Sequence, residues 1–116
     1  MAKVNWNEKR DNLVLNMKPV IIWDKGSDAQ QEYADKIVDN FCKRVCKILC
    51  WAIKDEIVEE TIVDAIVNEI YCYISNTDDA RWWCNKKDIE DIKLIQKLLE
   101  NEEYKKIVKK IYKNYE

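Results

Sequence analysis

Gly26 is the only glycine and Pro19 the only proline in this chain of 116 residues, and that scarcity constrains the fold more than any motif does. A sheet or sandwich must turn back roughly every 8–12 residues, and its turns are built chiefly on Gly, Pro, Asn and Asp. Helices need far fewer breaks. The chain is therefore expected to be mainly α: a compact bundle of four or five helices with short connections and a short extended N-terminal segment. Its length suits a single domain over 1–116, with 1–26 a less regular arm and 27–116 the bundle.

Apolar spacing locates the helices. Ser27 with Gln30 three residues on forms a capping box. Behind it Tyr33, Ile37, Val38, Phe41, Val45, Ile48, Leu49, Ala52 and Ile53 recur at steps of three and four. That stripe predicts a helix over 28–54. Asp55 and Glu56 then place acids where a helix N-terminus favours them, so a second helix is expected from 55, ending at Asn76-Thr77-Asp78-Asp79. A short turn carries Arg81-Trp82-Trp83. Ile89, Ile92, Ile95, Leu98 and Leu99 mark a third strongly patterned helix. Its phase slips at Asn101-Glu102-Glu103 and resumes through Tyr104, Ile107, Val108 and Ile111, predicting a joint near 101. Ahead of the bundle, Trp6, Leu13 and Met17 fit a loose helical face, whereas Leu13, Leu15 and Met17 alternate as in a strand. Pro19 before Val20-Ile21-Ile22-Trp23 favours extended backbone there.

Function is constrained first by what is missing. The chain has no histidine, and so lacks the commonest general base, the usual partner of a catalytic Ser or Cys, and the commonest metal ligand. One glycine cannot build a phosphate-cradling loop or a dinucleotide fingerprint. Ser27 and Ser75 are the only serines, and Ser27 is a cap. No catalytic residue is expected, and the chain reads as a non-enzyme without a cofactor.

Five cysteines are present. Cys42, Cys46 and Cys50 share one helical face, while Cys72 and Cys84 lie elsewhere. Spacing by four leaves the first three poorly placed for a disulfide, so free thiols in a reducing compartment are expected, packed as small hydrophobes. The alternative is a zinc or iron–sulfur module; against it, no CxxC knuckle occurs. The longest apolar run, 48–53, is too short to span a membrane, and Trp6-Asn7-Glu8 replace the apolar region of a signal peptide. A cytoplasmic location is the expectation.

Charge is unevenly spread. Residues 55–84 carry eight acids against Arg81 alone, within a chain of net charge −2. Glu56, Glu60 and Asp64 form an i, i+4 ladder of like charge. It is either neutralised by Lys105, Lys106, Lys109, Lys110 and Lys113 of the last helix or free to steer a basic partner. Trp82 and Trp83 are adjacent and cannot both point inward by the same route, so one is expected to be exposed beside Arg81. Trp and Arg are the residue types enriched at interface hot spots. A lysine-rich C-terminal helix with Tyr104, Tyr112 and Tyr115 offers a further alternative, a nucleic-acid-associated subunit. The overall acidity and the use of Lys over Arg argue against direct nucleic-acid binding.

The resulting expectation is a protein–protein interaction module: an adaptor, inhibitor or assembly subunit that contacts a basic protein surface through Glu56, Glu60, Asp64, Arg81, Trp82 and Trp83. Its composition also suits a viral or mobile-element inhibitor of a host nucleic-acid-binding protein. A homodimer is compatible with it.

Overall fold

The computed structural model describes residue 17 and residues 19–115; the readings of Trp6, Leu13 and Leu15 lie outside them. Five helices are formed among the described residues: α1 (Asp28–Lys54), α2 (Glu60–Ser75), α3 (Ala80–Cys84), α4 (Asp91–Leu98) and α5 (Glu102–Tyr115). Helix makes up 71% of the structure, and its β-type pairing among the described residues is an isolated parallel bridge between Lys25 and Asp79. The fold is mainly α, as the scarcity of Gly and Pro requires.

α1 starts where its cap predicts. Ser27 Oγ accepts from the Gln30 N–H at 3.2 Å, and Gln30 Oε1 accepts from the Ser27 N–H at 2.9 Å. Twenty-seven residues make a rod about 40 Å long, and the molecule measures 43 × 26 × 23 Å. α1 therefore runs its full length. It buries Ala34, Val38, Phe41, Cys42, Val45, Cys46, Leu49, Ala52 and Ile53 along one face, each large side chain contributing about 1.5–3 kcal/mol. α2, α3 and α5 all pack against it, and α4 packs on α2 and α5. α4 is also tied back by Arg44, whose guanidinium forks onto Asp91 at 2.8 and 2.9 Å.

The second helix begins later than expected, at Glu60 rather than 55. The Glu56 N–H donates to the Ile53 carbonyl at 3.0 Å and the Ile57 N–H to the Ala52 carbonyl at 2.9 Å. Those are the two bonds of a Schellman stop, which satisfies the orphan carbonyls at the end of α1. Such a stop needs a left-handed residue, and Glu56 supplies it with φ 60°. Asp55 and Glu56 therefore close the first helix instead of opening the second.

The expected joint near 101 is a clean break. Leu99 is extended, and Asn101 Oδ1 accepts from the Glu103 and Tyr104 N–H groups at 2.9 and 3.3 Å. Glu69 of α2 braces it, its Oε1 accepting from the backbone N–H groups of Glu100 and Asn101.

Residues 19–24 lie back along α1 without regular secondary structure, up to the bridge at Lys25. Met17 is buried, Ile21 and Trp23 pack on the core, and Trp23 Nε1 donates to Asp35 at 2.9 Å. The arm is pinned at its end, where the Asp24 N–H donates to the Asp78 carbonyl and the Ala80 N–H to the Lys25 carbonyl, both at 3.0 Å. Gly26 makes the turn into α1 with φ +108°, and a Cβ there would sit 2.9 Å from the Ala80 Cβ. The single glycine stands where the chain both needs positive φ and passes close to a neighbour.

Candidate functional site

The turn between α1 and α2 lies across from α5 and leaves an open groove of about 480 Å³. Its apolar floor comes from Ile57 and Val58 of the turn, Ile62 of α2 and Ile107 of α5; Glu56, Glu59 and Lys110 stand at its rim. Glu60, in the first turn of α2, is exposed. The Schellman stop builds this arrangement, because it reverses the chain while swinging Ile57 under the end of α1.

Glu56 thus stands at a mixed rim beside Glu59 and Lys110, and Glu60 begins α2 outside it, so the two do not share one helical ladder. Asp64, one turn further along α2, is half-buried. Among the described residues no ion pair joins an α2 carboxylate to α5. Lys105 and Lys106 instead pair with Glu102 and Glu103 of their own helix, at 3.2 and 3.7 Å.

The Trp corner is a separate place. Trp83 is fully buried, its ring 6.5 Å from Phe41 and its Nε1 donating to the Thr77 carbonyl at 3.0 Å. Trp82 is half-buried, stacked edge-on to Trp83 at 5.0 Å and tilted against Tyr73 at 6.3 Å, with Lys86 Nζ 4.8 Å above its ring. Arg81 doubles back onto Asp79, whose carboxylate accepts from Nε and Nη2, each at 3.0 Å. That bond holds the Asp79 carboxyl below the usual carboxylate range. Tyr73 and Glu60 sit thirteen residues apart on α2, about 20 Å along its axis. The six residues singled out from the sequence therefore fall at two ends of α2.

Sequence reasoning missed Glu59 and the apolar floor. Ile62 and Ile107 meet only after the fold is complete, so no local pattern signals them.

The cysteines divide by burial. Cys42 and Cys46 are buried in the core, and burial pushes both thiols up to about 12. A thiol held that firmly neutral is a poor ligand and a poor nucleophile. Cys84 Sγ donates to the Gln30 carbonyl at 3.6 Å, and Cys72 is exposed. No group of three or more Cys, Asp or Glu among the described residues is placed to hold a metal ion. No described helix is long and apolar enough to cross a membrane.

Comparison with family models, with curated proteins and with solved structures finds no match to this chain.

Proposed function

We propose that the protein is a non-enzymatic docking module that receives a basic, partly apolar segment of a protein partner in the groove between the α1–α2 turn and α5. The observation that carries this reading is the groove itself, with its floor of Ile57, Val58, Ile62 and Ile107 under a rim of two carboxylates, Glu56 and Glu59, and one ammonium, Lys110. An apolar floor of that size takes one or two aliphatic side chains, and the carboxylates, extended by Glu60, favour lysine or arginine beside them. An amphipathic helix carrying Leu or Ile flanked by Lys fits both demands. Glu56 is held at φ 60°, a strained conformation of the kind that gathers at functional sites.

The Trp corner takes a structural part in this reading, since Trp83 closes the core against Phe41 and Lys86 covers Trp82. Roles as an adaptor or as an inhibitor both follow from occupying a partner's basic segment.

The test uses an amphipathic Lys/Leu peptide of about 14 residues as probe, followed by NMR at low salt. Shifts should centre on Ile57, Ile62 and Ile107. Glu59→Lys/Glu60→Lys should lower the association rate on the order of tenfold, with the loss shrinking as salt rises. An unchanged rate in low salt, or shifts centred elsewhere, refutes the reading.

A further inference from the structure

α1 carries a polar stripe beside its buried face. Tyr33, Lys36, Ile37, Asn40 and Arg44 recur at steps of three and four, and so share one side of the helix. The turn joining α3 to α4 brings Lys87 across from them, and the six residues line an open cavity of about 280 Å³. Its charges are of one sign. Lys36, Arg44 and Lys87 line it and no carboxylate does, in a chain of net charge −2. The nearest ion pair on the same helix, Lys43 with Asp39 at 2.8 Å, is closed on itself.

Arg44 is held in place at this cavity. Asp91 takes its Nε and Nη2 at 2.8 and 2.9 Å and lies behind it, with 20% of its side chain exposed against 54% for Arg44. That fork fixes the guanidinium plane and leaves the two N–H groups of Nη1 on the other edge. Asn40 lies one helical turn from both Lys36 and Arg44, and adds a carboxamide donor between them. With Asp91 set against Arg44, the lining carries two further positive charges, Lys36 and Lys87. They match the charge of a phosphate monoester, about −1.5 to −2 at pH 7. Tyr33, 44% exposed, and the half-buried Ile37 add an aromatic and an aliphatic surface beside these donors.

We propose that this cavity binds a small phosphate monoester, with the phosphoryl group among Lys36, Asn40, Arg44 and Lys87 and the organic part against Tyr33 and Ile37. The volume lies at the lower end of the range for small-molecule sites, which suits a ligand of that size. The cavity shares no residue with the acidic groove and does not depend on it.

Inorganic phosphate and phenyl phosphate, each titrated into the full chain at constant ionic strength and followed by heteronuclear NMR, test the site. Both should shift the Asn40 carboxamide, the Arg44 Nε–H and the backbone amides of Lys36 and Lys87, and phenyl phosphate should bind about tenfold more tightly. Lys36→Gln/Lys87→Gln should weaken both probes by about tenfold or more. Both lysines are exposed, so far-UV circular dichroism and Tm should stay at the wild-type values. Tyr33→Ala should remove most of the advantage of phenyl phosphate and leave inorganic phosphate unchanged. The same shifts with sodium acetate at equal ionic strength overturn phosphate recognition, and undiminished binding by the double variant overturns the placement. Equal affinity for the two probes overturns the monoester and assigns the cavity to free phosphate.

Discussion

Replacing Glu56 with glycine should leave the protein more stable than replacing it with alanine. A non-glycine residue held in the left-handed region pays about 1–2 kcal/mol relative to its right-handed conformation, and Glu56 sits at φ 60° in the Schellman stop of α1. Glycine removes that cost but loses roughly 0.5–1 kcal/mol through the greater freedom of the unfolded chain. The net expectation is that Glu56→Gly exceeds Glu56→Ala in stability by about 0.5–1 kcal/mol. Glu56→Ala is the proper reference, because Ala also lacks the carboxylate and yet retains the backbone cost. The difference between Glu56→Gly and Glu56→Ala therefore isolates the φ contribution from every interaction of the side chain. In a domain of this size the gain corresponds to a Tm higher by about 2–4 °C. Urea unfolding followed at 222 nm should show a raised midpoint with an unchanged slope. Both variants should lose affinity for a basic peptide, since both lose the rim carboxylate. A Glu56→Gly protein no more stable than Glu56→Ala would refute the claim that strain is held at this turn.

Gly26→Ala should cost about 2–3 kcal/mol, since its Cβ would meet the Ala80 Cβ at 2.9 Å and φ is +108°; Ala80→Gly in the same chain should recover only the steric part, read from thermal melts. Acid titration should reveal Asp79. Its folded pKa lies below its ordinary value of 3.8, so its contribution is present above that value and is lost as pH falls through the lower folded one. Asp79→Asn should therefore flatten this part of the acid limb of a stability–pH curve. Thiol labelling at pH 8 followed by mass spectrometry should modify the exposed Cys72 first. Cys42 and Cys46 are buried, and burial pushes their thiols up to about 12, so they should label only on unfolding.

What the sequence made legible was whatever is decided within a few residues. The start of α1 follows from Ser27 and Gln30, its length from an unbroken stripe, and the joint before α5 from a slip of phase at a capping Asn101. The start of α2 was misread for an instructive reason. Acids at a helix boundary suit the N-terminus that follows, but here Ile57 pulls its own N–H back to Ala52 and assigns Asp55 and Glu56 to the helix before. Helix stops of this kind usually announce themselves with glycine, and this one does not. For Trp82 and Trp83 the sequence showed only that both could not point inward by the same route; Trp82 is not exposed as expected but half-buried against Tyr73 and Trp83. The choice falls to Trp83 inward, where its indole N–H finds the Thr77 carbonyl. The groove was least legible of all, because its floor joins residues 57–62 to Ile107 across the whole second half of the chain.

The position of α1 also sets how the molecule breathes. Three other helices rest on it, and its central face from Phe41 to Leu49 is almost wholly shielded from water. Amides there have no local route to solvent. Their hydrogens exchange only when the whole structure opens, so their exchange free energy equals the global stability. The last turn of α5 is edged by exposed Lys113, Asn114 and Tyr115 and tied to α1 only through the edge-on contact of Tyr115 with Trp51 at 5.0 Å, so its amides should exchange well before those of the rod, which keep time with complete unfolding.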